Sequence, residues 1–164
     1  MNSNKVVYQL KDKAIWLVLI VLVVAFTIAN PRFINPSNVM TLLRQVAVFG
    51  IASIGMTFVI LLGDIDLSIG TIMSFVNIIC AYMMVNMGMN MVVAVLVSLV
   101  AATAIGVLNG LMVSTVGIPA IIATFATQTA FNGLALIICG GMPISGFPDG
   151  FEIIGQGYIG IVPI

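Results

Sequence analysis

Long apolar runs alternate with short polar breaks along the whole chain. The apolar runs cover residues 14–29, 39–62, 67–85, 91–114 and 120–139. Because a membrane-spanning helix needs roughly 20 predominantly apolar residues, these runs predict about five spanning helices. Residues 158–164 are apolar again but too short to cross a bilayer, and we predict that they are the start of a sixth span.

The polar breaks contain residues that end one helix and start the next. Residues 30–38 hold two Asn-Pro dipeptides, which indicate turns, and Ser37 or Asn38 can cap the following helix. Gly63 suits a helix C-terminus. Asp66 suits the N-cap of the helix predicted over residues 67–85, because its negative charge is favourable at a helix N-terminus. The other predicted loops cover residues 86–90, 115–119 and 140–157.

Residues 1–13 form a short polar, basic leader before the first apolar run. A signal peptide is the competing interpretation, but the run is long for such a segment and no A-x-A cleavage site follows it. We therefore predict an uncleaved first helix. Three lysines precede this helix, and Arg32 and Arg44 follow it. The excess of cations on the cytoplasmic side of spanning helices predicts a cytoplasmic leader.

The composition agrees with a lipid environment. Apolar residues make up 62% of the 164 residues and charged residues only 6%, whereas soluble domains carry about 25% charged residues. We therefore predict an all-α integral membrane protein, a polytopic bundle of transmembrane helices in the lipid bilayer. The net charge is formally zero, so we expect no nucleic-acid partner.

Several kinds of chemistry lack the residues they need. Histidine is absent, the two cysteines lie in apolar runs, and the methionine-rich stretch 83–91 has no Cys or His beside it. We interpret these residues as apolar packing and expect no metal ion and no cofactor. No G-x-x-x-x-G-K-[ST] motif occurs, and no lysine follows Lys13. We therefore expect no enzymatic activity, and any ATPase must be another subunit.

Asp64 and Asp66 are acidic residues between two apolar runs. Carboxylates at membrane depth are costly and often functional, so these two could line a transport path. They could also lie at the interface, where Asp66 ends the break and caps a helix. Both interpretations remain open at this stage.

A polar stripe runs along the last long helix. Thr124, Gln128 and Asn132 are spaced i, i+4, i+8 and so share one helix face. The stripe either hydrogen-bonds to neighbouring helices or lines a hydrated cavity. Asn77 and Asn109 allow the same two interpretations.

Small residues mark places where helices can approach closely. Gly106 and Gly110 form a G-x-x-x-G pair, a signature of helix contact in membranes. Gly50 and Gly55 are expected to do the same in the apolar run of residues 39–62. We predict that these four glycines pack against other helices.

The segment from residue 54 to residue 70 reads IGMTFVILLGDIDLSIG. It resembles the signature of ribose-type ABC importer permeases, in which a stretch like G-G-I-D-L-S-V-G follows an I-G-M-T-x-V-I helix. Ser68 lies in this motif and is a further candidate residue for the transport path or the helix break. Asp64 stands where a second glycine is common. Residues 106–110, 118–125 and 140–144 resemble later segments of the same family, in order.

The resemblance covers the whole chain but only the N-terminal half of such a permease. It implies a single transmembrane permease domain over residues 1–164, in a bacterial inner membrane. It also implies a pentose or hexose substrate, an ATPase subunit, an extracytoplasmic sugar-binding protein and a second permease copy. A neutral sugar fits the absence of any cation after Arg44.

Two other functions remain open. An ion-coupled secondary transporter would hold a cation at the broken segment 63–66. A non-transporting fragment would act only in assembly or not at all. Replacing both aspartates by neutral residues should abolish coupling in the ion-coupled transporter. Deleting the gene should leave uptake unchanged if the chain does not transport.

Overall fold

The computed structural model describes residues 3–159 and 162–163, and helices account for most of them. The helices are α1 (Ser3–Ala29), α2 (Pro36–Leu61), α3 (Ile69–Val85), α4 (Met91–Ser114), α5 (Ala120–Cys139) and α6 (Phe151–Gln156), with a 3-10 turn at Pro31–Ile34. Two-residue strands, β1 (Tyr158–Ile159) and β2 (Val162–Pro163), pair in antiparallel fashion. The predicted helical membrane bundle is confirmed.

Three of the described helices are long and apolar enough to cross a membrane: α2, α4 and α5. Two shorter apolar helical segments, Lys13–Ala29 and Ile69–Val85, accompany them. The bounds of α4 and α5 coincide with those predicted from the polar breaks. Three of the five predicted spans are thus supported by helices of sufficient length. The spans predicted at α1 and α3 stay predictions.

The first two helices begin earlier than predicted. α1 starts at Ser3, not at residue 14, because the Lys, Gln and Leu residues of the polar leader are good helix formers. α2 starts at Pro36, since proline fits the first helical position. The carbonyl oxygen of the Asn35 side chain accepts from the backbone N–H of Ser37 at 3.1 Å. Asn35 therefore caps α2, and the prediction of Ser37 or Asn38 as the cap was wrong.

The C-terminal part also departs from the prediction. The loop expected over residues 140–157 contains the short helix α6. The described residues of the expected sixth span form β1 and β2 rather than helix, with Tyr158 opposite Pro163 and Ile159 opposite Val162. β-branched Ile and Val favour strands, and proline is accepted at a strand edge. The start of a sixth helix is therefore not found in these residues.

The chain divides into two compact units, Met1–Val48 and Phe49–Ile164. In the first unit, the rings of Phe26 and Phe33 lie 5.5 Å apart and join the end of α1 to the 3-10 turn. The side-chain amide of Asn38 donates to the carbonyl oxygen of Phe33 at 2.7 Å. These contacts fix the turn between α1 and α2.

In the second unit, α3 packs against both α4 and α5. Phe75 of α3, Ile105 of α4 and Ala135 of α5 form one buried apolar cluster, and the Phe75 ring meets Phe131 edge to face at 4.8 Å. A second cluster joins the methionines of α3, Met83 and Met84, to Ala94 of α4, which is fully buried. The core of this unit is therefore built by α3, α4 and α5.

Candidate functional site

A non-helical segment of residues 62–68 separates α2 from α3. Gly63 has φ +84°, a left-handed conformation that favours glycine. Its N–H donates to the carbonyl oxygen of Ile60 at 2.9 Å, and the N–H of Asp64 donates to that of Val59 at 3.2 Å. Gly63 thus ends α2, as predicted. We call residues 62–68 the break segment.

The carboxylate of Asp66 binds Ser68, the residue immediately before α3. Its Oδ1 accepts from the backbone N–H of Ser68 at 2.7 Å and from the Ser68 hydroxyl at 2.5 Å. The helix begins at Ile69 and Ser68 occupies the N-cap position. The prediction of Asp66 as the N-cap was therefore wrong by two residues, because Asp66 forms an Asx-type turn with Ser68 before the helix begins.

The Ser68 side chain is completely buried and connects the break segment to α4 and α5. Its hydroxyl oxygen accepts from the side-chain N–H of Asn109 at 2.8 Å. The carbonyl oxygen of Asn109 accepts in turn from the hydroxyl of Thr127 at 2.5 Å. Ser68, Asn109 and Thr127 are 0%, 5% and 5% exposed. We call the series Thr127–Asn109–Ser68–Asp66 the polar relay.

A second bond ties the break segment to α5. The hydroxyl oxygen of Thr124 accepts from the backbone N–H of Leu67 at 3.1 Å, while its proton goes to the carbonyl oxygen of Ala120 at 2.7 Å. Thr124 is 3% exposed. An unpaired N–H is costly in an apolar surrounding, so this bond fixes the backbone of the break segment where no helix can satisfy it.

The break segment forms one wall of an open cavity of about 550 Å³. Its polar lining comes from Asp64, Asp66, Asn109, Ser114 and Thr124. The remaining lining residues are apolar or small: Val59, Leu62, Ile65, Gly106, Gly110, Val113 and Ala120. The cavity has the size range of small-molecule sites, with a few polar groups on apolar walls.

The structure brings together only part of the predicted site. Asp66, Ser68, Asn109 and Thr124 meet in the relay or at the cavity, and Asp64 lines the cavity as well. Three other predicted residues lie apart: Asn77 and Asn132 are exposed and Gln128 is half-buried. The face that α5 buries carries Ala120, Ala123, Thr124, Thr127 and Ala135.

Thr127 was not among the predicted site residues. The predicted stripe followed an i, i+4, i+8 spacing from Thr124. The buried face instead contains Thr127, which is three residues after Thr124. The signal in the sequence was the set of small residues on that face, which allows α5 to approach its neighbours closely.

The predicted packing role of the four glycines finds no partner within the described part of the chain. A Cβ placed on Gly50, Gly55, Gly106 or Gly110 would meet no atom within 4 Å, leaving aside the helix's own nearby backbone. Gly106 and Gly110 line the cavity instead. The packing of these glycines against other helices stays a prediction.

Taken together, apolar spanning helices and a polar cluster at a helix break define a helical membrane protein with a largely apolar cavity that carries a few polar groups. The family model described as branched-chain amino acid transport system / permease component matches residues 38–156. The chain belongs to this family of transport permeases.

The names of individual relatives specify particular sugars, unlike the family description. The chain is 40% identical to the ribose import permease protein of Bacillus subtilis, over 89% of this chain and 46% of that protein. It is 35% identical to the xylose transport system permease protein of Escherichia coli K12, over 77% of this chain and 32% of that protein. It is 33% identical to the xylose/arabinose import permease protein of Sulfolobus acidocaldarius, over 100% of this chain and 47% of that protein.

The chain thus spans about half the length, or less, of the curated relatives it matches. No solved structure shows significant similarity to it.

Proposed function

We propose that the chain forms the N-terminal part of the permease of an ATP-driven, binding-protein-dependent sugar importer. The observation that carries the proposal is the 40% identity to a ribose import permease over 89% of the chain. The similarity to permeases for xylose and arabinose points to the same substrate class. A ribose-like pentose is therefore the first substrate to test, and a hexose the second.

The charge around the cavity supports a neutral substrate. Among the described residues, two carboxylates and no cation line the cavity. Every Lys and Arg of the chain lies at or before Arg44. An anionic group is normally bound by Arg, Lys or clustered N–H donors. Carboxylate and amide oxygens can accept from sugar hydroxyls, and the Asn109 amide can donate to them.

The proposed importer needs partners beyond this chain. These are an ATPase subunit, an extracytoplasmic sugar-binding protein and a second permease copy, identical or related. We also propose that the N-terminus faces the cytoplasm of a bacterial cell, because Lys5, Lys11 and Lys13 outnumber the two arginines that follow the first span.

Uptake measurements test the substrate. We expect deletion of the gene to lower uptake of radiolabelled ribose or xylose, and a plasmid copy to restore it. Leucine serves as the control, since the family description names branched-chain amino acids and their carboxylate would find no cation at the cavity. Loss of leucine uptake with unchanged sugar uptake would contradict the proposal, and unchanged uptake of both would favour a non-transporting fragment.

One observation favours an ion-coupled transporter as a second candidate: Asp64 and Asp66 both line the cavity. The variant Asp64→Asn/Asp66→Asn removes both charges while amide oxygens remain to accept hydrogen bonds. The importer proposal expects the sugar uptake of this variant, whatever its rate, to need the ATPase subunit and no ion gradient. Uptake that needs a sodium or proton gradient, and that this variant abolishes, would establish the second candidate.

A further inference from the structure

The polar relay has a fixed direction. A carboxylate can only accept hydrogen bonds, so the Ser68 hydroxyl must donate to Oδ1 of Asp66. The Ser68 oxygen is then left to accept from the N–H of Asn109, and the carbonyl oxygen of Asn109 must face Thr127. Each donor therefore points toward Asp66, and such a chain strengthens its own members by mutual polarisation.

Thr127 differs from its neighbours in the way it uses its hydroxyl. Thr124 and Thr129 of the same helix donate to the carbonyl oxygens four residues earlier, at Ala120 and Phe125. The Thr127 hydroxyl donates across to Asn109 on α4. It is 5% exposed and does not line the cavity, whereas the far end of the relay, Asp66, does.

Oδ1 of Asp66 is fully engaged, with two donors from Ser68. No donor from the described residues reaches its second oxygen, Oδ2. Oδ1 is therefore occupied by hydrogen bonds within the protein, and Oδ2 remains available to accept from a hydroxyl-bearing ligand in the cavity. Without the Thr127 hydroxyl, the buried carbonyl oxygen of Asn109 loses its donor, and within the relay only the bond to Ser68 still holds the amide in place.

We propose that Thr127 is a positioning residue: through Asn109 and Ser68 it sets the orientation of the Asp66 carboxylate at the cavity. The inference rests on the proposed function, because orientation matters only if the cavity receives the transported sugar. It concerns a residue outside the cavity, so its effect on transport must pass through the two intervening side chains.

The test compares three substitutions on α5 in the full chain. Thr127→Val removes the hydroxyl at nearly constant shape, Thr127→Ser keeps it, and Thr129→Val removes a hydroxyl bonded only within its own helix. We expect Thr127→Val to lower the rate of sugar uptake by about threefold to tenfold, as for the loss of a partner to a buried polar group. Thr127→Ser and Thr129→Val should remain within about twofold of the wild type.

A double-mutant cycle measures the coupling between Thr127 and Asp66, which should be absent if Thr127 only packs locally. Thr127 and Asp66 make no direct contact, so additivity is expected if Thr127 acts alone. We expect the melting-temperature losses of Thr127→Val and Asp66→Ala in detergent to be non-additive, and those of Thr129→Val and Asp66→Ala to add. Additive losses for the first pair would overturn the relay.

The two measurements separate the possible failures. Coupling in the melts with unchanged uptake in Thr127→Val would reduce the relay to a structural element and overturn the positioning role. Absence of sugar uptake in the wild type would refute the proposed function, and the positioning role with it, while the melts would still report the relay itself.

Discussion

The two units of the chain use apolar residues in different ways. In the first unit, the apolar side chains of α1 from Ile15 to Val24 are 40–76% exposed. The helices α3, α4 and α5 of the second unit bury small and polar side chains against one another, among them Ala94, Ala123 and Asn109. Both sets of helices are strongly apolar in sequence, so hydropathy alone does not reveal which of them pack together.

The difference follows from the solvent. In lipid, an exposed Leu or Val costs nothing relative to packing against another helix, and association depends on close approach and on hydrogen bonds. The described core combines such small and polar residues with a few large apolar ones, Phe75, Met83, Met84 and Ile105, whereas the large apolar side chains of α1 stay exposed. Four substitutions, in order of decreasing effect, test this view.

Asn109→Leu removes both bonds at the centre of the polar relay. We expect the free energy of unfolding to fall by about 2 kcal/mol, because Thr127 and Ser68 each lose a buried partner. The measurement is thermal unfolding in detergent, with Asn77→Leu as the control, since Asn77 is an exposed asparagine of α3. Equal losses in the two variants would mean that burial in the relay adds no stability.

Thr124→Val leaves the backbone N–H of Leu67 without its acceptor. We expect a smaller loss of about 1 kcal/mol, because one hydrogen bond between helix and loop is lost rather than two between side chains. Protease cleavage near the break segment should also accelerate. A stable variant with unchanged cleavage would show that the break segment is held by other contacts.

Gly106→Ala places a methyl group where the described chain leaves open space. We expect a gain of about 0.5–1 kcal/mol in the unfolding free energy of the isolated chain, since alanine favours the helix over glycine. Gly140→Ala is the control and should destabilise, because Gly140 has φ +61°. A loss on Gly106→Ala that appears only in the assembled importer would reveal another chain packed on this glycine.

Gln128→Ala tests the polar stripe that was predicted from sequence. Gln128 is half-buried and takes no part in the relay, so we expect a change below about 0.5 kcal/mol. Melting curves of Gln128→Ala and Thr127→Val, measured side by side, make the comparison. A larger loss at Gln128 would restore the predicted stripe and exclude the relay as the main contact of α5.

The sequence predicts the long helices well and their ends unevenly. Met91–Ser114 and Ala120–Cys139 were predicted to the residue, because Asn90 caps α4 through its side chain and Gly140 ends α5 in a left-handed conformation. The start of α1 was missed, since polar helix-forming residues produce no hydropathy signal. The tail was missed because a short apolar run does not distinguish a strand from a helix.

The candidate site was predicted in its parts but not in its connections. Asp66, Asn109 and Thr124 were recognised as polar residues in apolar surroundings, which is a property of the sequence, and Ser68 was recognised through the family motif. The bond between residues 68 and 109 spans 41 positions, and no local pattern specifies such a pairing. Thr127 was missed for the same reason, since its partner lies on another helix.

Co-purification is the strongest test of the proposal that this chain is part of a sugar importer. The tagged chain would be solubilised from its native membrane, and the proteins that accompany it would be identified by mass spectrometry. We expect an ATPase subunit and a sugar-binding protein. A folded chain that brings neither with it, from cells that produce both, would contradict the account.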